Sequence, residues 1–525
     1  MNEDFLVAPV WRDVKTYLAA PDSAPATPAV APPGTNARPP ALLRFADGTA
    51  LCGLLLYAVF APHSIAGAWI ALSLSIAGWL ARTLITRRPS WPQRTPLDLP
   101  LWLFYGWSIL SALLSAEPRV SLLKLISVSS FLIFYLVRSL VTRRTAIVVA
   151  VLMIASGAAG ALWSVAEVVR GRGVIVAEIA PDSPLHDASL RVAAGDSIWR
   201  VNGKHIDSVA EIDQALRETP AGAPLRLSLF SRGEQVERGG LVMTDEIKAR
   251  PSPAGVRGTR RSHRFRASGW TRHYQTFAET LQILAQLALG FALAELQRRA
   301  AVRPHSRFRL ALFAAAFLLL ATGIALTAMR TALVAFAVGA SVVAWRAVAG
   351  GRARVIVSVV IVLALALGAF AVWRTRAEGA LRLQDESSRL RFDVARIALA
   401  RIPLHPFFGH GMDAMHRHWT QWGFPGQDML HAHSTPIQLA FDRGLPALLL
   451  WLWLLIAFWL ILTRAEKQFR ASPDARAHGL LLGATGSLAG FFASSLVNYN
   501  FGDAEVALVL WWLMGTVVRI ESSEQ

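Results

Sequence analysis

The chain has a single cysteine, Cys52, and that residue lies in an apolar run. A disulfide framework and any cysteine-based metal site are therefore excluded. Charge is scarce too: Asp, Glu, Lys and Arg make up 17% of 525 residues, where a soluble domain carries roughly a quarter. With hydrophobic residues at 54% and a mean hydropathy of +0.41, membrane class comes before any count of soluble domains. The first forty residues hold no apolar run of the length that a cleavable signal peptide needs. Within them Ala19–Pro40, rich in Ala, Pro and Thr, cannot build a core and reads as a disordered tether. Acidic residues are the minority charge, 35 against 53 Lys and Arg, for a net charge of +18. In a soluble protein that balance would suggest nucleic acid. Here arginines in loops facing an anionic leaflet explain it better, and no nucleic-acid partner is expected.

What the chain has in abundance is apolar length. Runs able to span a bilayer, or nearly so, fall at 45–61, 64–81, 99–114, 121–139, 145–168, 277–296, 309–328, 331–349, 354–373, 436–462, 479–497 and 504–520. Connections bearing Arg82/Arg87/Arg88/Arg94, Arg143/Arg144, Arg298/Arg299/Arg303/Arg307, Arg346/Arg352/Arg354 and Arg464/Lys467/Arg470 alternate with the cation-poor Pro62–Ser64, Ser115–Ser121 and Asn498–Asp503. That alternation supports an all-α polytopic membrane protein of about twelve transmembrane helices, with both termini in the cytoplasm. The expected layout is a cytoplasmic tail (1–44), five spans (45–169), an external α+β insert (170–250), a basic linker (251–276), four spans (277–373), an external loop (374–435), and three spans with the C-terminal tail (436–525).

The insert alternates strand-like runs, Val174–Ile179, Ser197–Val201, Leu225–Phe230 and Gln235–Met243, with a helical Ser208–Glu218. Asn202-Gly203 marks a tight turn. Ser183-Pro184, Leu190, Gly195-Asp196, Ile198 and Val201-Asn202-Gly203 together resemble a bacterial PDZ domain. The resemblance implies a protein partner, with Gly171–Val174 as the carboxylate-receiving loop and Val174–Ile179 as the strand that a guest peptide extends. A spacer role is the alternative. Beyond it Arg257, Arg260, Arg261, Arg264, Arg266 and Arg272 form a basic run, either a solvated face or a surface for phosphorylated lipid or glycan, to which Arg266 and Arg272 would contribute.

The external loop is dense in Arg and His. Arg330 stands between two nearly joined apolar runs, where an arginine needs an anionic partner or must snorkel to the interface. Downstream come Arg389, the turn Pro406-Phe407-Phe408-Gly409-His410-Gly411, and His433 with Gly444 eleven residues later. Ser268-Gly269, Phe277-Ala278 and the pattern from Asp98 to Ser115 complete the set. Together these resemble the O-antigen ligase/polymerase superfamily of bacterial membrane glycosyltransferases, although Ser434 stands where that family usually has Asn and Met329 replaces a small residue.

By that resemblance the protein is a multi-pass enzyme of the bacterial inner membrane with its site facing the periplasm. It would move a glycan from an undecaprenyl-diphosphate carrier to lipid A–core or another glycan acceptor. Arg330, Arg389 and His433 would be catalytic, with the turn glycines Gly409 and Gly411, Arg391, Arg396 and His431 binding substrate. Arginine suits a diphosphate leaving group through its fork and permanent charge, and an imidazole can take the acceptor hydroxyl's proton. On a helix from Ser387, Arg389, Asp393 and Arg396 share one face while Arg391 points elsewhere. No cofactor and no metal are required, though His416/His418 with His431/His433 remain an alternative metal set. The loop 498–503 either lines the glycan path or caps helices. Alternatives in function are a polymerase for the same glycan, a protein O-oligosaccharyltransferase, and, in other classes, a lipid-linked glycan transporter or a PDZ-bearing scaffold.

Overall fold

A computed structural model describes residues 40–87, 94–231, 234–263, 265–297, 304–348, 350–359, 386–426 and 429–522. The Ala/Pro-rich segment before Pro40, most of the expected span 354–373 and residues 374–385 of the external loop lie outside the described residues. The chain divides into two compact units, one of Met1–Ala158, Trp270–Ile324 and Met329–Gln525, the other of Ala159–Gly269 with Ala325–Ala328.

The helices are α1 (Ala41–Phe60), α2 (Ile65–Thr86), α3 (Asp98–Leu114), α4 (Pro118–Val128), α5 (Leu132–Leu140) and α6 (Arg143–Arg170), followed after the insert by α9 (Tyr274–Gln297), α10 (Pro304–Leu326), α11 (Arg330–Ala347), α12 (Glu386–Arg401), α13 (Thr435–Phe469), α14 (Ala475–Ser495) and α15 (Ala504–Ser522). Among the described residues, eight helices are long and apolar enough to cross a membrane, α4 and α5 counting as one through a short 3-10 turn. This makes the chain a multi-pass membrane protein. Four of the twelve expected spans are not among the eight. The run at 99–114 forms the 17-residue α3, 354–373 falls largely outside the described residues, and the last two form α14 and α15. Those two helices are buried along nearly all their length.

Small residues set the packing. A Cβ added to Gly290 of α9 would lie 2.3 Å from the Gly479 carbonyl oxygen of α14, so the two backbones touch only because neither carries a side chain there. Gln286 of α9 donates to the Phe336 carbonyl of α11 at 2.9 Å, and Ser487 of α14 donates to the Ile283 carbonyl at 2.9 Å. These contacts satisfy polar groups that lipid could not. As a result α9 is the buried centre of its unit.

At one end of this bundle the fully buried Glu466 of α13 gathers two arginines and a histidine. Arg346 Nε lies 3.1 Å from Oε2, with Nη2 also on that oxygen, while Arg470 Nη2 (2.9 Å) and His478 Nε2 (3.2 Å) share Oε1. The group ties α11, α13 and α14 together.

In the second unit the strands β1 (Val174–Ile179), β2 (Ser197–Val201), β3 (Lys204–His205), β4 (Pro224–Ser231), β5 (Glu234–Val242) and β6 (Val256–Arg261) form an antiparallel sheet of order β5-β4-β2-β1-β6, with β3 on β2. Asn202 (φ 47°) and Gly203 (φ 83°) make the expected hairpin turn. Helix α7 (Val209–Glu218) starts on a capping box: the Ser208 side chain accepts from Glu211 N, and Glu211 Oε2 accepts from Asp207 N at 2.9 Å. The short α8 is Asp245–Ala249. Val176, Ile198, Ile212, Leu227 and Val256 belong to the core of this unit.

One expectation needs correction. Val174–Ile179 is not free to be extended, because β1 pairs with β2 on one side and with β6 on the other. The outer edge is Val256–Arg261, drawn from the run read above as a basic linker, so the sheet continues past residue 250. Alternation of arginine with small residues hides that strand from a hydrophobicity pattern.

Glu466→Gln is expected to destabilise the protein by about 3–5 kcal/mol, the effect of removing one partner from a buried ionic group. The exposed Arg82–Asp47 pair, 2.8 Å apart, is the control, and Arg82→Gln is expected to change stability by under about 1 kcal/mol. Thermal unfolding of the purified protein in detergent checks both.

Candidate functional site

Helix α13 is continuous in outline but broken at Gly444, where φ is 80° and ψ 170°. Pro446, two residues on, has no N–H to offer the ladder. The carbonyls stranded by the break find partners elsewhere. Phe441 O accepts from His410 N (2.8 Å), Asp442 O from Gly411 N (3.0 Å), and Arg443 O from Trp107 Nε1 (3.0 Å). Leu445 N in turn donates to Pro406 O at 2.8 Å. The turn Pro406–Gly411 is thus plugged into the helix break.

Glycine is obligatory at both faces of this plug. A Cβ on Gly444 would fall 1.9 Å from the Phe407 carbonyl oxygen, and one on Gly409 would fall 2.4 Å from Arg443 N. Helix α3 holds the turn from its other side. Ser111 Oγ donates to Phe408 O at 2.6 Å, and the Trp107 and Phe408 rings stack 5.5 Å apart. The Trp and Ser residues of the 98–115 pattern therefore brace the loop.

Upstream, the backbone reaches α13 through two left-handed residues, Leu430 (φ 66°) and His433 (φ 50°). Such a conformation is uncommon for residues with side chains and persists only where the surroundings impose it. Gln438 accepts from Ala432 N (2.7 Å) and donates to Asp442 Oδ1 (2.8 Å). Thr435 N and Oγ1 both donate to Asn498 O at 3.1 Å, and Thr435 Oγ1 also donates to Asn500 Oδ1 at 3.1 Å. The Asn498 side-chain amide donates to Thr331 Oγ1 (3.0 Å), next to Arg330, and to Glu279 Oε1 (3.1 Å). The loop 498–503 therefore clamps the start of α13 to the start of α11.

A cavity of about 760 Å³ lies over these groups. His273, His416, His431, His433, Arg443 and Tyr499 are among its walls, with Lys124, Asp413, Asp442 and Asp503. Lys124 and Asp413 pair at 3.1 Å, and Thr276 donates to Asp503. Among the described residues neither ring nitrogen of His433 has a hydrogen-bond partner. Burial, helped by neighbouring His431, Arg391 and His273, lowers its pKa from 6.5 to about 2. Burial thus favours the neutral imidazole. The His431 ring lies 4.4 Å from the His433 ring and 5.6 Å from that of Tyr499, whose hydroxyl burial pushes up to about 12.

The other expected residues are distributed as follows. Gly409 and Gly411 form the plug, both at positive φ. Arg389 and Arg396 are exposed on α12, with Arg396 4.0 Å from Asp393. Arg391, expected to point away, is half-buried, and its charge reaches His433. Arg330 and Arg272 are exposed, and neither lines the cavity. Arg266 belongs to the other unit. His418 faces Glu117, Nε2 to Oε1 3.1 Å, while His416 lines the cavity, so the two do not act as a pair. Among the described residues no three His, Cys, Asp or Glu side chains are arranged to hold a metal ion.

Sequence reasoning passed over Arg443, Asp442 and Gln438. The signal was present: two adjacent charged residues inside an apolar run, which in a membrane helix point to function.

Residues 315–452 match the family model of O-antigen ligase, and residues 155–229 match that of the PDZ domain. No curated protein matches the chain. The first match includes Arg330, Arg389, the glycine plug, His433 and the Gly444 break; the second includes β1 to β3, α7 and most of β4. Over these two segments the chain is similar to O-antigen ligases and to PDZ domains, the superfamily and the insert that its motifs resemble.

Proposed function

We propose that this protein transfers a glycan from an undecaprenyl-diphosphate carrier to an acceptor at the periplasmic face of the inner membrane, most directly O-antigen to lipid A–core. The observation that carries the reading is His433: a buried imidazole with no hydrogen-bond partner among the described residues, held on a left-handed backbone in the wall of a cavity that also bears Arg443, His431 and Asp442, inside the segment that matches O-antigen ligase.

In the reaction the acceptor hydroxyl attacks the anomeric carbon and a new C–O bond forms. The bond from that carbon to the diphosphate oxygen breaks, and the electron pair leaves with undecaprenyl diphosphate. His433 takes the hydroxyl proton. Arg330, Arg389 and Arg391 stabilise the departing diphosphate, with Arg396 and Arg272 as outer contacts for an anionic glycan. Gly409 and Gly411 keep the loop seated. No step calls for a metal ion. The PDZ-like unit recruits a protein partner or positions the acceptor.

This reading takes up the twelve-span arrangement with both termini in the cytoplasm, supported by the alternation of arginine-rich and arginine-poor connections. In a background lacking Cys52, a membrane-impermeant thiol reagent is expected to label Ala221→Cys and Gln421→Cys from outside while sparing Ala471→Cys. Labelling of Ala471→Cys alone would invert the topology.

His433→Ala is expected to lower transfer from purified carrier-linked donor by about two orders of magnitude, with donor binding retained. Lysine at Arg330, Arg389 or Arg391 keeps the charge but loses the fork, and a substantial loss is expected at each. The exposed His405→Ala is the control, near wild type. Running every assay in EDTA tests metal independence at once, since an inactive wild-type protein there would contradict it. Lipid A–core, repeat-unit glycan and acceptor peptide, supplied separately, separate the ligase from a polymerase and from a protein glycosyltransferase.

The sign of the pH dependence follows from His433. Its folded pKa lies below the unfolded value, so the unfolded chain takes up a proton first as pH falls. Stability therefore declines below about pH 6.5, by roughly 1.4 kcal/mol per pH unit for one such group. His433→Gln is expected to flatten the acid side of a plot of melting temperature against pH. An unchanged slope would contradict the buried neutral imidazole.

A further inference from the structure

Arg443 is buried to 5% exposure, and among the described residues its Nε and Nη1 have no hydrogen-bond acceptor. Among the described residues no carboxylate closes an ion pair with it. The adjacent Asp442 is engaged by Gln438, and Asp413 by Lys124. Among the described residues its guanidinium carbon stands 5.4 Å from the Phe104 ring centre, a weak cation–π contact. A contact of that kind does not offset the desolvation of a buried charge, which is compensated when an anion meets it. Arginine stays protonated under any working condition. A permanent cation that makes no ion pair among the described residues therefore stands in the wall of the cavity that also holds His433.

The backbone explains how it is held there. Trp107 Nε1 takes the Arg443 carbonyl, and Gly409 packs against Arg443 N. The residue is pinned on both sides at the last position before the helix break. From Thr435 to Arg443 the helix advances roughly 12 Å. The Arg443 guanidinium carbon stands 5.4 Å from the centre of the Phe104 ring, and the residue shares a cavity wall with His433.

We propose that Arg443 is a further phosphate-binding residue of this cavity, its guanidinium receiving the diphosphate oxygens of the lipid-linked donor while His433 serves the acceptor. The inference rests on the transferase reading given above and adds to it a cation inside the cavity wall, where Arg330 is not found.

The test uses the purified full-length protein in detergent, as wild type, Arg443→Gln and Arg443→Lys, each checked for an unchanged melting temperature. Undecaprenyl diphosphate and inorganic pyrophosphate are titrated separately, and glycan transfer is measured in parallel. Arg443→Gln is expected to weaken undecaprenyl diphosphate binding about tenfold or more. Arg443→Lys is expected to weaken it severalfold, keeping the charge without the fork. Parallel weakening of pyrophosphate means that phosphate itself is recognised, and weakening confined to the lipid means that the chain seats the headgroup; both support the proposal. Wild-type affinity in a folded Arg443→Gln protein overturns it and leaves the transferase reading standing. If that variant does not fold, Arg443→Lys decides, and unchanged affinity there overturns the proposal. A wild-type protein that binds neither ligand and transfers no glycan removes the donor reading and this inference together.

Discussion

Helix α13 cannot complete its hydrogen-bond ladder through Gly444 and Pro446, and a buried carbonyl without a donor is costly in a membrane. The loop turn Pro406–Gly411 supplies the missing donors and inserts its own Phe407 carbonyl where any side chain at 444 would stand. Much else follows from that exchange. It anchors the far end of a long polar loop against a rigid helix, lets α3 brace the same turn, and leaves the first turns of α13 as a short half-helix beneath the cavity. A break that would weaken an isolated helix is here the attachment point of the site.

The loop 498–503 clamps the other end of the half-helix. Asn498 reaches three elements at once: its carbonyl takes Thr435, its amide holds Thr331, and the same amide meets the buried Glu279. The start of α11, where Arg330 stands, and the start of α13, where His433 stands, are thereby fixed to one another. Residues that read as helix caps in sequence act as a brace between two site-bearing helices. The strained backbone at Leu430 and His433 is understandable in that frame, since both ends of the segment are held.

Electrostatics divides the molecule by depth. Glu466 is surrounded by Arg346, Arg470 and His478 and stabilises helix packing, whereas among the described residues His433 and two nitrogens of Arg443 lack hydrogen-bond partners and the two residues border open volume. Satisfied buried charge is a device of the fold; unsatisfied buried polarity is where a ligand is expected. The second unit behaves differently. Its basic strand β6 is the edge of the sheet, with its arginines largely in solvent.

The membrane class, most of the spans, the β1, β2, β4, β5 and α7 elements of the insert, and the family motifs were legible in the sequence. Apolar length, strand alternation and glycine or histidine at fixed spacing are local properties. The sequence likewise marked Gly409, Gly411 and Gly444 as necessary, without saying that they meet. Pairing was not legible. Only the tertiary structure decided that β6 takes the outer edge of β1, that Arg391 is half-buried while Arg389 is exposed, and that Arg443 lines the cavity. Each depends on which groups remain unsatisfied once distant segments have packed, and a neutral imidazole or a free guanidinium is created by the burial around it, which no local pattern encodes.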